Sequence, residues 1–177
     1  MKNLMTGKKG LVMGVANDHS IAWGIAEALH NAGAELAFTY QGDAFGKRVI
    51  PLAESLGSKV VLDCDVTSEA DLDRVFADLH KKMVNIDFIV HAVAYSNKEE
   101  LKGRFCDTTL DNFLNTMHIS CYSWISVARR AAKIMNPGGS MVTLSYIGSE
   151  RVIPNYNVMG VAKAALEAST RYLAADV

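Results

Sequence analysis

The sequence predicts an α/β fold, a parallel sheet with helices on both faces. Three observations carry this. Short apolar runs of strand length alternate with segments whose apolar residues recur at helical spacing. The apolar runs are continuous, as in strands buried on both faces. A glycine-bearing turn joins the first run to the first helical segment. Right-handed crossovers between such strands give a doubly wound, three-layer αβα sheet with ligands at the carboxyl ends of its strands.

Each element has its own signal. Residues 10–15 (GLVMGV) form the first buried strand. Residues 20–33 (SIAWGIAEALHNAG) keep helical spacing and stop at Gly33. Residues 34–40 (AELAFTY) are the second strand. Residues 43–57 form a second helix, which Pro51 is expected to break or delay. Residues 59–66 (KVVLDCDV) are the third strand, and 68–82 open a third helix on a Ser-x-x-Asp cap pattern. Residues 86–94 (IDFIVHAVA) are the fourth strand, 111–135 one long helix, and 140–146 (SMVTLSY) the fifth strand after the turn NPGG. From about Asn155 the pattern is helical to the end.

Composition narrows the function classes. The 177 residues are half hydrophobic, enough for a real core, and 1–177 reads as a single domain. A net charge of −1 advertises no nucleic-acid surface. Cys64, Cys106 and Cys121 are odd in number and lack CxxC spacing. They read as reduced thiols of a cytoplasmic protein, not as a disulfide frame or a zinc site. The N-terminal apolar run is too short for a signal sequence, and no segment approaches the roughly 20 residues that span a bilayer. The ending STRYLAADV stops in mid-pattern, with Asp176 near the negative end of a helix dipole. The chain is therefore expected to be the N-terminal portion of a longer protein, with its C-terminal part missing.

The first turn, GVANDHSIAWG, suits a dinucleotide. Gly14 allows close backbone approach, Ser20 is placed to cap the helix and bond a phosphate, and Gly24 is expected to permit tight helix–sheet packing. The pattern is not G-x-G-x-x-G, and taken alone Gly14 reads equally as a turn residue. After the second strand, Gln41 can bond ribose hydroxyls without repelling a phosphate, and no arginine follows at once. NADH is therefore expected rather than NADPH. Asp65 and Val66 are placed for the adenine, with a loop cap as the competing role for Asp65. Ala92 to Ala94 offer small residues where backbone passes beside a cofactor.

Tyr156 and Lys163 are seven apart, about 10.5 Å along a helix and about 20° off in direction, so they are expected to share a face. Tyr146 ends the fifth strand at the same sheet edge. A lysine can hold a cofactor ribose, and a phenol can donate to an oxygen that gains charge. Singly, each has a plainer reading as a packed tyrosine or a solvated lysine.

Together these residues carry a resemblance. The stretches GVANDHSIAWGIAEALHNAGAELAFTYQ, CDV and LSYIGSERVIPNYNVMGVAKAALEA resemble the NADH-dependent enoyl-acyl carrier protein reductases of bacterial fatty acid synthesis. That family is a divergent branch of the short-chain dehydrogenase/reductases. It replaces the superfamily's Tyr-x3-Lys by Tyr-x6-Lys, so Met159 stands in the usual tyrosine slot. The resemblance implies that Tyr156 bonds the substrate thioester carbonyl and Lys163 the nicotinamide ribose. Tyr146 then lines the substrate pocket. It also implies a cofactor loop at Gly14, Ser20 and Ile21, a ribose contact at Gln41 and an adenine site at Asp65 and Val66. Val93 falls near the cofactor and Ser96 in the substrate-side loop.

The implied reaction is reduction of a trans-2-enoyl group on acyl carrier protein by NADH. His118 stands about where the superfamily keeps a catalytic asparagine, and is expected to serve packing or an interface. The helices bearing SVARRAAKIM and GVAKAALEAS imply a homotetramer. Two other readings stay open: a carbonyl reductase of the same superfamily, or a dinucleotide-binding protein without catalysis.

Overall fold

A computed structural model describes residues 3–177. Five strands form one parallel sheet: β1 (Lys9–Met13), β2 (Glu35–Tyr40), β3 (Val60–Asp63), β4 (Ile86–His91) and β5 (Met135–Thr143). Their order is β3-β2-β1-β4-β5. The chain builds outward from β1 to β3, then returns across β1 to begin β4. The order thus reverses beside β1, the position where doubly wound sheets open a crevice at their carboxyl ends.

Strand alternation decides which helix covers which face. Val12, Leu36, Phe38, Phe88 and Val90 pack with Ala22, Trp23 and Ala26 of α1 (Ile21–Asn31) and with Val49 and Ala53 of α2 (Gly42–Ser55). Leu11, Met13, Ala37 and Ile89 are one step out of phase, so they point to the other face, and they are fully buried. A right-handed crossover from β3 to β4 carries α3 (Glu69–Met83) to that other face. There α3 buries Leu72, Val75, Phe76, Leu79 and Met83.

The chain divides into two compact units. The first runs to Ala92 and takes in Arg130–Thr143, so it holds the sheet with α1, α2 and α3. The second comprises Val93–Arg129 and Leu144–Val177. It holds α4 (Leu110–Met117), a π-helical turn (His118–Tyr122), most of α5 (Ser123–Ala131) and α6 (Asn157–Asp176). Among the described residues, no helix is long and apolar enough to cross a membrane.

Several elements depart from the sequence reading, each for a local reason. Pro51 neither breaks nor delays α2, which runs through it. The missing N–H costs one helical bond, but Gly46, Val49 and Ala53 on the same stretch are buried. Tertiary packing outweighs an intrinsic penalty of about 3 kcal/mol. The single helix expected over 111–135 is instead α4, the π-turn and α5, and the chain is already in β5 at Met135. A wide turn inserts one residue, too small a change to show in apolar periodicity. The NPGG segment lies inside β5: Met135 pairs with Ile86, the register shifts, and Ser140 pairs with Phe88.

The cap expected on the third helix forms. Ser68 accepts the backbone N–H of Asp71 at 3.1 Å. Ser68→Ala is expected to cost about 1 kcal/mol and to lower the melting temperature by about 3 °C, read by thermal denaturation.

Candidate active site

Gly14 closes the turn after β1 with φ +97°, a conformation natural only to glycine. A side chain there would run into the backbone carbonyl of Ala92. Ser20 does not cap α1, contrary to the expectation. Its hydroxyl accepts from the backbone N–H groups of Ala16 and Asn17 at 3.0 and 3.1 Å, which ties the turn to itself. Hence α1 begins with no side-chain cap and no acidic residue in its first turn. Its positive end is left for an external anion, which fits a diphosphate placed at Ile21. Gly24 does not mediate close packing: a side chain there would meet nothing within 4 Å.

Gln41 is the residue just before α2, in extended conformation. Its neighbour Gly42 donates its N–H to the Asp63 carboxylate at 2.8 Å. Asp65 takes the role of loop cap with one oxygen, which accepts from the N–H and hydroxyl of Thr67 at 2.8 and 2.7 Å. Val66 follows it, partly buried. Just before Asp65, Cys64 is buried, and burial, then the nearby Asp71 carboxylate, push its thiol up to about 12. It is a neutral core thiol, inert as a nucleophile.

In the second unit, the segment opening at Val93 is held by hydroxyls that no sequence pattern marks. Ser120, fully buried in the π-turn, accepts the N–H of Tyr95 at 3.0 Å and donates to its carbonyl at 3.1 Å. Ser96 accepts from the Thr116 hydroxyl at 2.8 Å and from Asn112 at 3.2 Å. Its hydroxyl therefore points into a buried polar cluster on α4. Its neighbour Tyr95 is exposed. His118 lies edge-on to Tyr122 at 5.6 Å, a packing contact.

The two tyrosines meet. The rings of Tyr146 and Tyr156 stand edge to face, centroids 5.0 Å apart. Tyr146 lies three residues beyond β5 and is 49% exposed. Tyr156 is not on the helix, as the seven-residue spacing suggested; it is the N-cap residue of α6. Asn155 and Asn157 flank it with φ of +60° and +36°. Asparagine tolerates this region better than any residue but glycine. The Asn157 amide donates to the carbonyls of Glu100 and Gly103 at 3.3 and 3.4 Å, which fixes the turn. The Tyr156 ring covers Gly148, where a side chain would collide with it. Burial, then Tyr146, raise the Tyr156 phenol above its ordinary value, so it is a proton donor at neutral pH.

Lys163 is 7% exposed, and its ammonium donates to the Leu144 carbonyl at 2.7 Å. Burial holds its pKa below the ordinary lysine value. Glu167, one turn on, accepts from the Ser145 hydroxyl. So α6 grips the segment that carries Tyr146. Met159, in the slot where the superfamily keeps its tyrosine, is buried in the core.

The sheet order, the glycine turn at an uncapped helix and the strand-end residues define a Rossmann-type α/β protein. Residues 14–177 match the family described as Enoyl-(Acyl carrier protein) reductase, and the chain belongs to that family. It is 60% identical to enoyl-[acyl-carrier-protein] reductase [NADH] 2 of Rhizobium meliloti, over 99% of this chain and 66% of that protein. It is 61% identical to the NADH reductase 1 of the same organism, over 98% of this chain and 64% of that one. The chain thus spans slightly less than two thirds of these relatives' length. A solved structure from Anaplasma phagocytophilum, an enoyl-(acyl-carrier-protein) reductase in complex with NAD, superposes with a TM-score of 0.96 at 57% identity. That match covers 99% of this chain and 68% of that one.

Proposed function

We propose that the protein reduces the 2,3 double bond of trans-2-enoyl groups on acyl carrier protein, with NADH as donor, in the last reductive step of fatty acid elongation. The observation that carries this is the pairing of Tyr156 with Tyr146 at 5.0 Å, with a buried Lys163 on the same helix and no tyrosine at position 159. A carbonyl reductase of this superfamily would need a phenol where Met159 packs in the core.

NADH, when bound, supplies hydride to the β-carbon. Charge then gathers on the thioester oxygen, three bonds from that carbon, and a proton added at the α-carbon completes the saturated thioester. The Tyr156 phenol donates to that oxygen and stabilises it as an enolate. Its place before the helix, not within it, suits an oxygen displaced from the carbon that receives hydride. Lys163 would hold the nicotinamide ribose, and its positive charge favours anionic character nearby. Tyr146 lines the acyl side and fixes the Tyr156 ring. In the first unit, Gly14, Ser20 and Ile21 would receive the diphosphate, Gln41 the ribose, and Asp65 and Val66 the adenine. In the second unit, Val93 would open the segment beside the cofactor. Gln41, in place of a basic residue, favours NADH over NADPH.

The same reading makes acyl carrier protein the partner and the cytoplasm the location. It makes the protein a homotetramer built through α4, α5 and α6. The exposed Leu110 and Leu114, one turn apart on α4, support an interface there.

The test follows NADH absorbance with the full-length native protein. Oxidation with crotonyl thioester and none with acetoacetyl thioester is expected. The reverse identifies a carbonyl reductase, and no oxidation with either removes the catalytic reading. Tyr156→Phe is expected to lower kcat about 100-fold, the low end for one positioned proton donor. Its NADH affinity, read by fluorescence titration, should match the unaltered protein.

A further inference from the structure

The turn after β3 is laced to α3 more heavily than the helix requires. Ser68 already caps that helix. Yet the Asp71 carboxylate reaches back past the cap and accepts the backbone N–H of Asp65 at 3.0 Å. Its other oxygen pairs with Arg74 at 3.1 Å. Arg74 donates in turn to the Asp63 carbonyl at 2.9 Å. The Asp63 carboxylate accepts the N–H of Gly42 at 2.8 Å, directly after Gln41 and where the backbone turns at φ +68°. Three charged side chains thus fix the backbone on both sides of two strand ends. The segments they fix are those bearing Gln41 and Asp65.

The Asp65 amide, first, and then Arg74 hold the Asp71 carboxyl below its usual range, so it is ionised and accepting throughout neutral pH. Its helix would keep its cap without it. What would be lost is the orientation of Asp65 and Val66. A site whose backbone is already ordered spends less binding energy on ordering when its ligand arrives.

We infer that Asp71, with Arg74 and Asp63, is a positioning set that presets the adenosine half of the dinucleotide site. It holds Gln41 towards the ribose and Asp65 and Val66 towards the adenine. The inference rests on the dinucleotide reading above and adds residues that touch no part of the cofactor.

ADP-ribose, which carries the adenosine half without nicotinamide, isolates the effect. Titration calorimetry should show Asp71→Ala binding ADP-ribose and NADH about tenfold more weakly, the loss expected for one charge-assisted hydrogen bond. The KM for NADH should rise by a similar factor, with kcat at saturating NADH unchanged. Asp71→Asn keeps an acceptor for the Asp65 N–H and should recover most of the affinity. Should Asp71→Ala fail to fold, the exposed Arg74→Met takes its place, with an expected loss of about threefold. An unchanged ADP-ribose affinity, or a fall in kcat with KM unmoved, overturns the inference alone. If the unaltered protein binds neither ligand, the dinucleotide reading falls and the inference with it.

Discussion

Lys163→Met is expected to reduce NADH oxidation by about 100-fold or more and to weaken NADH binding, while thermal stability changes little. A functional lysine and a structural one respond to this change in opposite ways. The ammonium is buried and donates to the Leu144 carbonyl. Methionine has similar length and no charge to desolvate, so the fold gains what the lost hydrogen bond costs. A structural lysine would behave the other way: stability would fall and dinucleotide binding would survive. The pH dependence follows in sign. Burial lowers the pKa of Lys163 in the folded protein. The unfolded chain therefore binds more protons between the folded and the unfolded lysine values. Stability from this group rises with pH across that window, as the buried charge is relieved. Activity should fall across the same alkaline window, because the neutral amine no longer supports anionic character beside it. Opposite slopes of melting temperature and kcat/KM above neutral pH would mark Lys163; parallel slopes would not.

Gly14→Ala should damage the first unit severely. The residue sits at φ +97°, and its new carbon would meet the Ala92 carbonyl, which is backbone and cannot rotate away. Backbone strain alone costs about 1–3 kcal/mol, and the collision adds to it. Melting temperature and NADH binding should fall together. Gly24→Ala, ten residues on, is the control. Space is open there, and alanine is the better helix former, so a gain of about 0.5–1 kcal/mol is expected. Equal losses at both positions would show that the turn has no special geometry.

Much of the fold is legible in the sequence because the signals are local or periodic. The strands β1 to β4 read as unbroken apolar runs, since both of their faces are covered. The Ser68 cap reads from four residues. Signals fail where a long-range contact overrides a local rule. Pro51 looks like a breaker until the buried Val49 and Ala53 hold the helix on both sides of it. The π-turn at His118–Tyr122 is invisible because its one extra residue leaves no mark on composition. For the same reason Ser120 could not be found: a buried serine is a site residue only once Tyr95 is folded against it. Asp71 did leave a trace, as the last residue of the cap pattern, but the pattern points its carboxylate at the cap and not at Asp65.

The sequence by itself determined the α/β class, the glycine turn and the identities of Tyr146, Tyr156 and Lys163, because residue type and spacing are properties of the chain. Only the tertiary structure decided that Tyr156 stands before α6 and not on it. Two asparagines in left-handed conformation set its direction, and one of them, Asn157, is fastened to carbonyls more than fifty residues away. A side chain's direction depends on the backbone angles beneath it and on what fills the space around it, and neither is written in the spacing of letters.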